Sequence, residues 1–157
     1  TVSTIISTGS GTLTKDGSGV LSLSATNTFS GGSFLSGGTL APSAIGALGA
    51  LASGNSGKII FQGGAIRHYS TNTSELYGRY VQPLNGYSWR IDPGGYTINY
   101  NEAAGTPELF NNVSGGVNGF EVTGSGTLIF DTAATAGRYT GTTVVSGGTL
   151  QLATYNK

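Results

Sequence analysis

The chain has 157 residues, 9% of them charged, with seven basic and seven acidic side chains that cancel, and it has no cysteine and no methionine. One domain is the expectation for this length, and a disulfide framework is excluded. Lys15, Lys58, Arg67, Arg79, Arg90, Arg138 and Lys157 are scattered along the chain, so no basic face for nucleic acid is expected.

The lack of even an initiator methionine reads as a processed product or an excised segment. No signal peptide and no apolar run of about 18 residues is present to anchor it, so no membrane insertion of this segment is expected.

In chain order, Thr1-Val-Ser-Thr-Ile-Ile6 reads as a bare, uncharged β-prone strand. Short strands then follow at Gly11–Thr14, Gly19–Leu23, Ser33–Leu35 and Gly38–Leu40, one in roughly every 8 to 12 residues, each bounded by Gly, Ser or Asn. Lys58–Phe61 repeats the pattern, and Gly63-Gly-Ala-Ile66 echoes it loosely. An aromatic stretch contains Tyr69, Tyr77, Tyr80, Tyr87, Trp89, Tyr96 and Tyr100. Within it, alternation over Tyr87-Ser-Trp-Arg-Ile91 predicts a strand with Tyr87, Trp89 and Ile91 on an inner face and Ser88 and Arg90 outside. Asp92-Pro-Gly-Gly95 marks a turn, and Thr127–Phe130, Thr143–Val145 and Thr149–Leu152 read as the last strands.

Two stretches repeat. Gly9-Ser-Gly-Thr-Leu13 recurs as Gly124-Ser-Gly-Thr-Leu128, an offset of 115, and Ser36-Gly-Gly-Thr-Leu40 recurs identically as Ser146-Gly-Gly-Thr-Leu150. A G-x-L step reused at corresponding places favours parallel coils stacked in ladders over the two-residue hairpins of a sandwich. Gly38 and Gly148, in identical contexts, are expected to share a backbone conformation, with positive φ at one glycine of each pair.

Residues 9–40, including the Asn27-Thr-Phe-Ser-Gly31 turn, resemble the autotransporter-associated β-strand repeat of bacterial passenger domains. The second copy, 124–152, is similar with a longer middle turn, and residues 41–123 look like spacer coils. The resemblance implies an all-β chain folded as one right-handed parallel β-helix (β-solenoid) over residues 1–157. It also implies a secreted or cell-surface structural or adhesive role.

Catalysis has little to stand on. The acidic residues form no i, i+2 pair, and the nearest two, Glu102 and Glu108, fall in a loop around Pro107. A glycosidase would require two carboxyl groups about 5 to 9.5 Å apart. His68, the single histidine, lacks a second His or any Cys to complete a metal site and reads as a half-exposed strand residue. No cofactor or metal is expected. Tyr87, Trp89 and Tyr96 are the candidate binding residues, for a cell-surface glycan or a protomer contact, although core packing accounts for them at least as well. Uncharged β-prone ends without Pro or Lys gatekeepers suggest end-to-end self-association through the terminal strands. A polysaccharide-active enzyme on the same scaffold and a glycan-binding module are the alternatives.

Overall fold

The computed structural model describes residues 1–7, 9–50, 57–71, 76, 81–101, 117–131 and 140–152, with Asn101 and Asp131 described by their backbone alone. These residues form thirteen short strands and no helix. They are β1 (Leu13–Lys15), β2 (Val20–Leu23), β3 (Ser33–Leu35), β4 (Thr39–Pro42), β5 (Ile59–Phe61), β6 (Ala65–Arg67) and β7 (Val81–Pro83). They continue with β8 (Ser88–Asp92), β9 (Thr97–Asn101), β10 (Gly119–Val122), β11 (Thr127–Asp131), β12 (Thr143–Val145) and β13 (Thr149–Leu152).

Strands close in sequence fall in different sheets, and strands one coil apart pair in parallel. The long sheet has six strands in the order β12-β10-β8-β6-β4-β2 and runs the length of the stack. A four-stranded sheet, β1-β3-β5-β7, accompanies its N-terminal half, and a three-stranded sheet, β13-β11-β9, its C-terminal half. The molecule is a parallel β-solenoid.

The stacking is visible in one ladder of apolar side chains. Leu21 pairs with Leu40, Leu40 with Ile66, Ile66 with Ile91, Ile91 with Val122, and Val122 with Val145. These steps are 19, 26, 25, 31 and 23 residues long, so the rung spacing is kept while the chain between rungs varies. Parallel strands need long crossovers, which in a solenoid are the rest of the coil. From the four inner ladder positions, together with Leu23, Leu35, Ile59, Phe61, Trp89, Ile98, Phe120 and Leu128, comes a continuous buried core. Each such side chain contributes about 1.5–3 kcal/mol by leaving water.

The N-terminal stretch differs from the strand expected of it. Only Val2 pairs, in an isolated bridge to Leu23, with its N–H donating to Ser22 O and its carbonyl accepting from Ser24 N. Further along, Ile6 N–H is held by the Asn27 carboxamide at 2.8 Å, and Ile5 is exposed. Val2 and Ile6 pack partly buried against the core and Thr28 N donates to Ile6 O at 3.1 Å, so this segment follows the edge of the first coil with one ladder pair.

Candidate functional site

The coils turn at glycine corners, and these are the most regular local structure in the chain. Lys15 O accepts from Ser36 N (2.8 Å) and Gly37 N (3.1 Å), and Gly19 O accepts from Thr39 N (3.1 Å). In the second copy Val122 O accepts from Ser146 N (2.9 Å) and Gly147 N (3.3 Å), and Gly126 O from Thr149 N (2.8 Å). Gly38 and Gly148 have φ of 58° and 63°, the shared left-handed conformation expected from their contexts.

These bonds correct the internal alignment. Gly17-Ser-Gly19 is the counterpart of Gly124-Ser-Gly126, an offset of 107, and Gly17 and Gly124 have φ of 70° and 71°. The pentapeptide at Gly9–Leu13, matched by identity to Gly124–Leu128, instead leads into the preceding corner, where Gly31 N donates to Gly11 O as Gly141 N donates to Asn118 O. The two copies also lie on different faces. The first alternates between the N-terminal and long sheets, the second between the long and C-terminal sheets.

Residues 13–41 and 120–152 match the passenger-associated-transport-repeat family. Both segments are similar to passenger-associated-transport repeats. Each match starts at the first strand of its copy, β1 or β10, in agreement with the offset set by the corner hydrogen bonds. No curated protein and no solved structure matches the chain.

Around the repeats, charged side chains are tied to neighbouring coils. Lys15 is buried, and its ammonium donates to Asp16 O (2.5 Å), Gly17 O (2.8 Å) and Gly37 O (3.1 Å), so the corner carbonyls of two coils satisfy it. Arg90 donates to Glu121 at 2.7 Å and to Gly63 O at 2.5 Å, and Ser146 donates to the other Glu121 oxygen, a polar strut across four coils. Burial pushes the Glu121 carboxyl up, but hydrogen bonds from Arg90 and Ser146 and the Arg90 charge outweigh it and hold it below its ordinary value.

On the long sheet's other margin, Arg67 and the buried Asp92 form an ion pair at 2.5 Å. They line a cleft of about 240 Å³ with Gly94, Gly124 and Ser125. The Asp92 carboxylate also accepts from Gly94 N at 2.8 Å. A Cβ on Gly124 would occupy the carboxylate's position. Beside this pair His68 is buried, not half-exposed, and its Nε2 lies 2.6 Å from the Tyr100 hydroxyl. Burial pushes the His68 pKa down to about 4, against the opposing pull of Asp92. Among the described residues no three His, Cys, Asp or Glu side chains converge as a metal site would require.

The candidate binding aromatics are not brought together. Trp89 is 0% exposed, its indole N–H directed at Val81 O (3.3 Å), so it is a core residue and has no ring face for a glycan. Tyr87 and Tyr96 are exposed but flank β8 on opposite sides. The five residues of β8 hold them apart by about 17 Å of strand. Tyr87 also lies outside the strand that sequence alternation gave it. Glu75, Glu102, Glu108, Tyr77 and Tyr80 lie outside the described residues. The Arg67–Asp92 and Arg90–Glu121 pairs were not foreseen, since their partners are 25 and 31 positions apart. A signal existed only in the coil length: both pairs are lateral neighbours in the ladders.

Proposed function

We propose that this passenger-repeat solenoid is a non-catalytic structural or adhesive segment of an exported, surface-exposed bacterial protein, whose copies add end to end through their terminal strands. The observation that supports it most is the arrangement of the polar side chains. Asp92 and Glu121 are each held by an arginine that also links coils, so both carboxylates serve the stack. Retaining or inverting sugar hydrolysis needs one carboxyl group free to donate a proton and another free to act on the sugar or a water.

In β12 and β13, Val144, Val145 and Leu152 are exposed. Exposed apolar strands of this kind, free of Lys and Pro, favour the addition of a further strand. Light scattering over a concentration series tests the reading: mass rising with concentration, insensitive to added salt, is the expected result. A constant monomer mass into the high micromolar range would sink it. A glycan array read in parallel separates an adhesive role from a purely structural one.

A further inference from the structure

Two Asn-Gly dipeptides stand in the chain, Asn85-Gly86 and Asn118-Gly119, and the fold places them in opposite surroundings. We infer that Asn85 is a self-modification site of the folded protein: attack by the Gly86 amide nitrogen converts it with time to aspartate and isoaspartate, while Asn118 is kept intact.

An asparagine followed by glycine is set up for ring closure, because attack of the next amide nitrogen on the carboxamide carbon makes a five-membered ring and glycine has no Cβ to obstruct it. The Gly86 nitrogen, once its proton has gone to hydroxide, forms a bond to Asn85 Cγ, and the carboxamide nitrogen leaves as ammonia. Water then opens the cyclic imide. Cleavage at Cγ gives aspartate, and cleavage at the Asn85 main-chain carbonyl carbon gives isoaspartate, with the backbone running through Cγ. In sum one water is taken up and one ammonia lost, and no oxidant or other reactant takes part.

Leu84, Asn85, Gly86 and Tyr87 form the exposed turn between β7 and β8. Tyr87 N donates to Leu84 O at 2.9 Å, which closes the turn from outside the dipeptide. Neither the Gly86 N–H nor the Asn85 carboxamide has a hydrogen-bond partner among the described residues. Gly86 has φ of 83°, and a Cβ built on it would meet nothing within 4 Å. Nucleophile, electrophile and the space for the tetrahedral intermediate are therefore all open to water, in a turn that can bend without disturbing a strand.

Asn118 differs at each of these points. It is 0% exposed, its carbonyl accepts from Gly141 N at 2.8 Å, and Gly119 pairs with Ser88 in the long sheet. A Cβ on Gly119 would lie 2.6 Å from Ser88 Oγ and 2.7 Å from Thr142 O, so this peptide has no room to rotate. Asn27 is protected through its side chain: the carboxamide accepts from Ile6 N at 2.8 Å and donates to Ala47 O at 2.6 Å. The amide that would attack it, Thr28 N, is engaged by Ile6 O at 3.1 Å.

Each conversion at Asn85 places one negative charge on a chain whose charges otherwise cancel. Isoaspartate also adds a methylene to the main chain between Leu84 and Tyr87. Strand β8, paired with β6 on one side and β10 on the other, keeps its register. The surface changes with age while the stack stays intact.

The test is to hold the purified folded protein at mildly alkaline pH, withdraw samples over time, and read them by ion exchange and by peptide mass spectrometry. The peptide containing Asn85 should gain one mass unit and split into two chromatographic forms. It should do so about a hundredfold or more faster than the peptide containing Asn118, which reacts only when β10 opens. In the chain unfolded by urea the two asparagines should react at similar rates. Asn85→Gln should abolish the main acidic species seen by ion exchange. An Asn85 that stays intact in the folded protein overturns the site, as does an acidic species that persists in Asn85→Gln. Equal rates at Asn85 and Asn118 in the folded protein, or a ratio that unfolding leaves unchanged, overturns the part assigned to the fold.

Discussion

His68 has the chemistry most altered by its position. Packed beside Tyr100 and beneath a coil turn, it is held neutral, with a pKa of about 4 against an ordinary value of 6.5. The unfolded chain takes up the proton first as pH falls, so this stability is complete above about pH 6.5 and is lost progressively down to about pH 4. The full loss is about 3 kcal/mol. Urea midpoints across that range should fall for the native chain and stay flatter for His68→Gln; equal slopes would show that the ring is protonated without cost. Glu121 acts in a lower window. Its depressed pKa means that its contribution is present above its ordinary value of 4.5 and is lost below it, as protonation loosens the strut to Arg90 and Ser146.

Gly124 is the other residue with no substitute. Its φ of 71° disfavours any side chain, and the Asp92 carboxylate fills the space a Cβ needs. Gly124→Ala should cost about 1–3 kcal/mol from the backbone conformation alone, with more from displacing Asp92. Gly17→Ala, at the equivalent corner with no neighbour within 4 Å, should cost the backbone share only. Thermal melts of the two variants give the difference, and equal melting temperatures would remove the carboxylate from the account.

At the level of strands and ladders, burial sorts positions that look alike in sequence. Leu40 and Val145 stand in one ladder, yet Leu40 is 0% and Val145 51% exposed. Leu40→Ala should destabilise by about 2–5 kcal/mol, whereas Val145→Ala should change monomer stability by less than about 0.5 kcal/mol. Chemical denaturation at low protein concentration measures both.

Strand positions were legible for a physical reason: β-branched and leucine runs between glycine corners are short enough to allow one reading, and β2, β3, β5 and β12 fall where those runs are. Register between coils was not. Identity pulled Gly9–Leu13 onto Gly124–Leu128, whereas the ladder pairs residues by backbone bonds at corners where Ser, Thr, Asp and Gln are interchangeable. Charge pairs were equally hidden, because Arg67 meets Asp92 through a coil whose length no local pattern states. Tyr87 misled in another way. Alternation continued one residue past the strand, and the turn at Leu84–Tyr87, closed by Tyr87 N to Leu84 O at 2.9 Å, turns its ring outward.

Over the whole molecule, stability is a sum of rung-to-rung contacts, so it is greatest where rungs are covered on both sides. Amide exchange should be slowest in β4, β6 and β8 of the long sheet and fastest in β12 and β13, whose side chains are mostly exposed.

Coil length also has a mechanical meaning. A stack pulled apart along its axis gives way rung by rung, and each rung releases the chain between two ladder positions. Successive releases are 19, 26, 25, 31 and 23 residues along the long sheet. At about 3.3–3.6 Å per extended residue these correspond to steps of about 65 to 110 Å. Unequal steps form a pattern that identifies which coil has opened, so single-molecule extension traces can locate the failing rung. Their order would show whether rupture starts at the exposed β12–β13 end or at the longest coil, between β8 and β10.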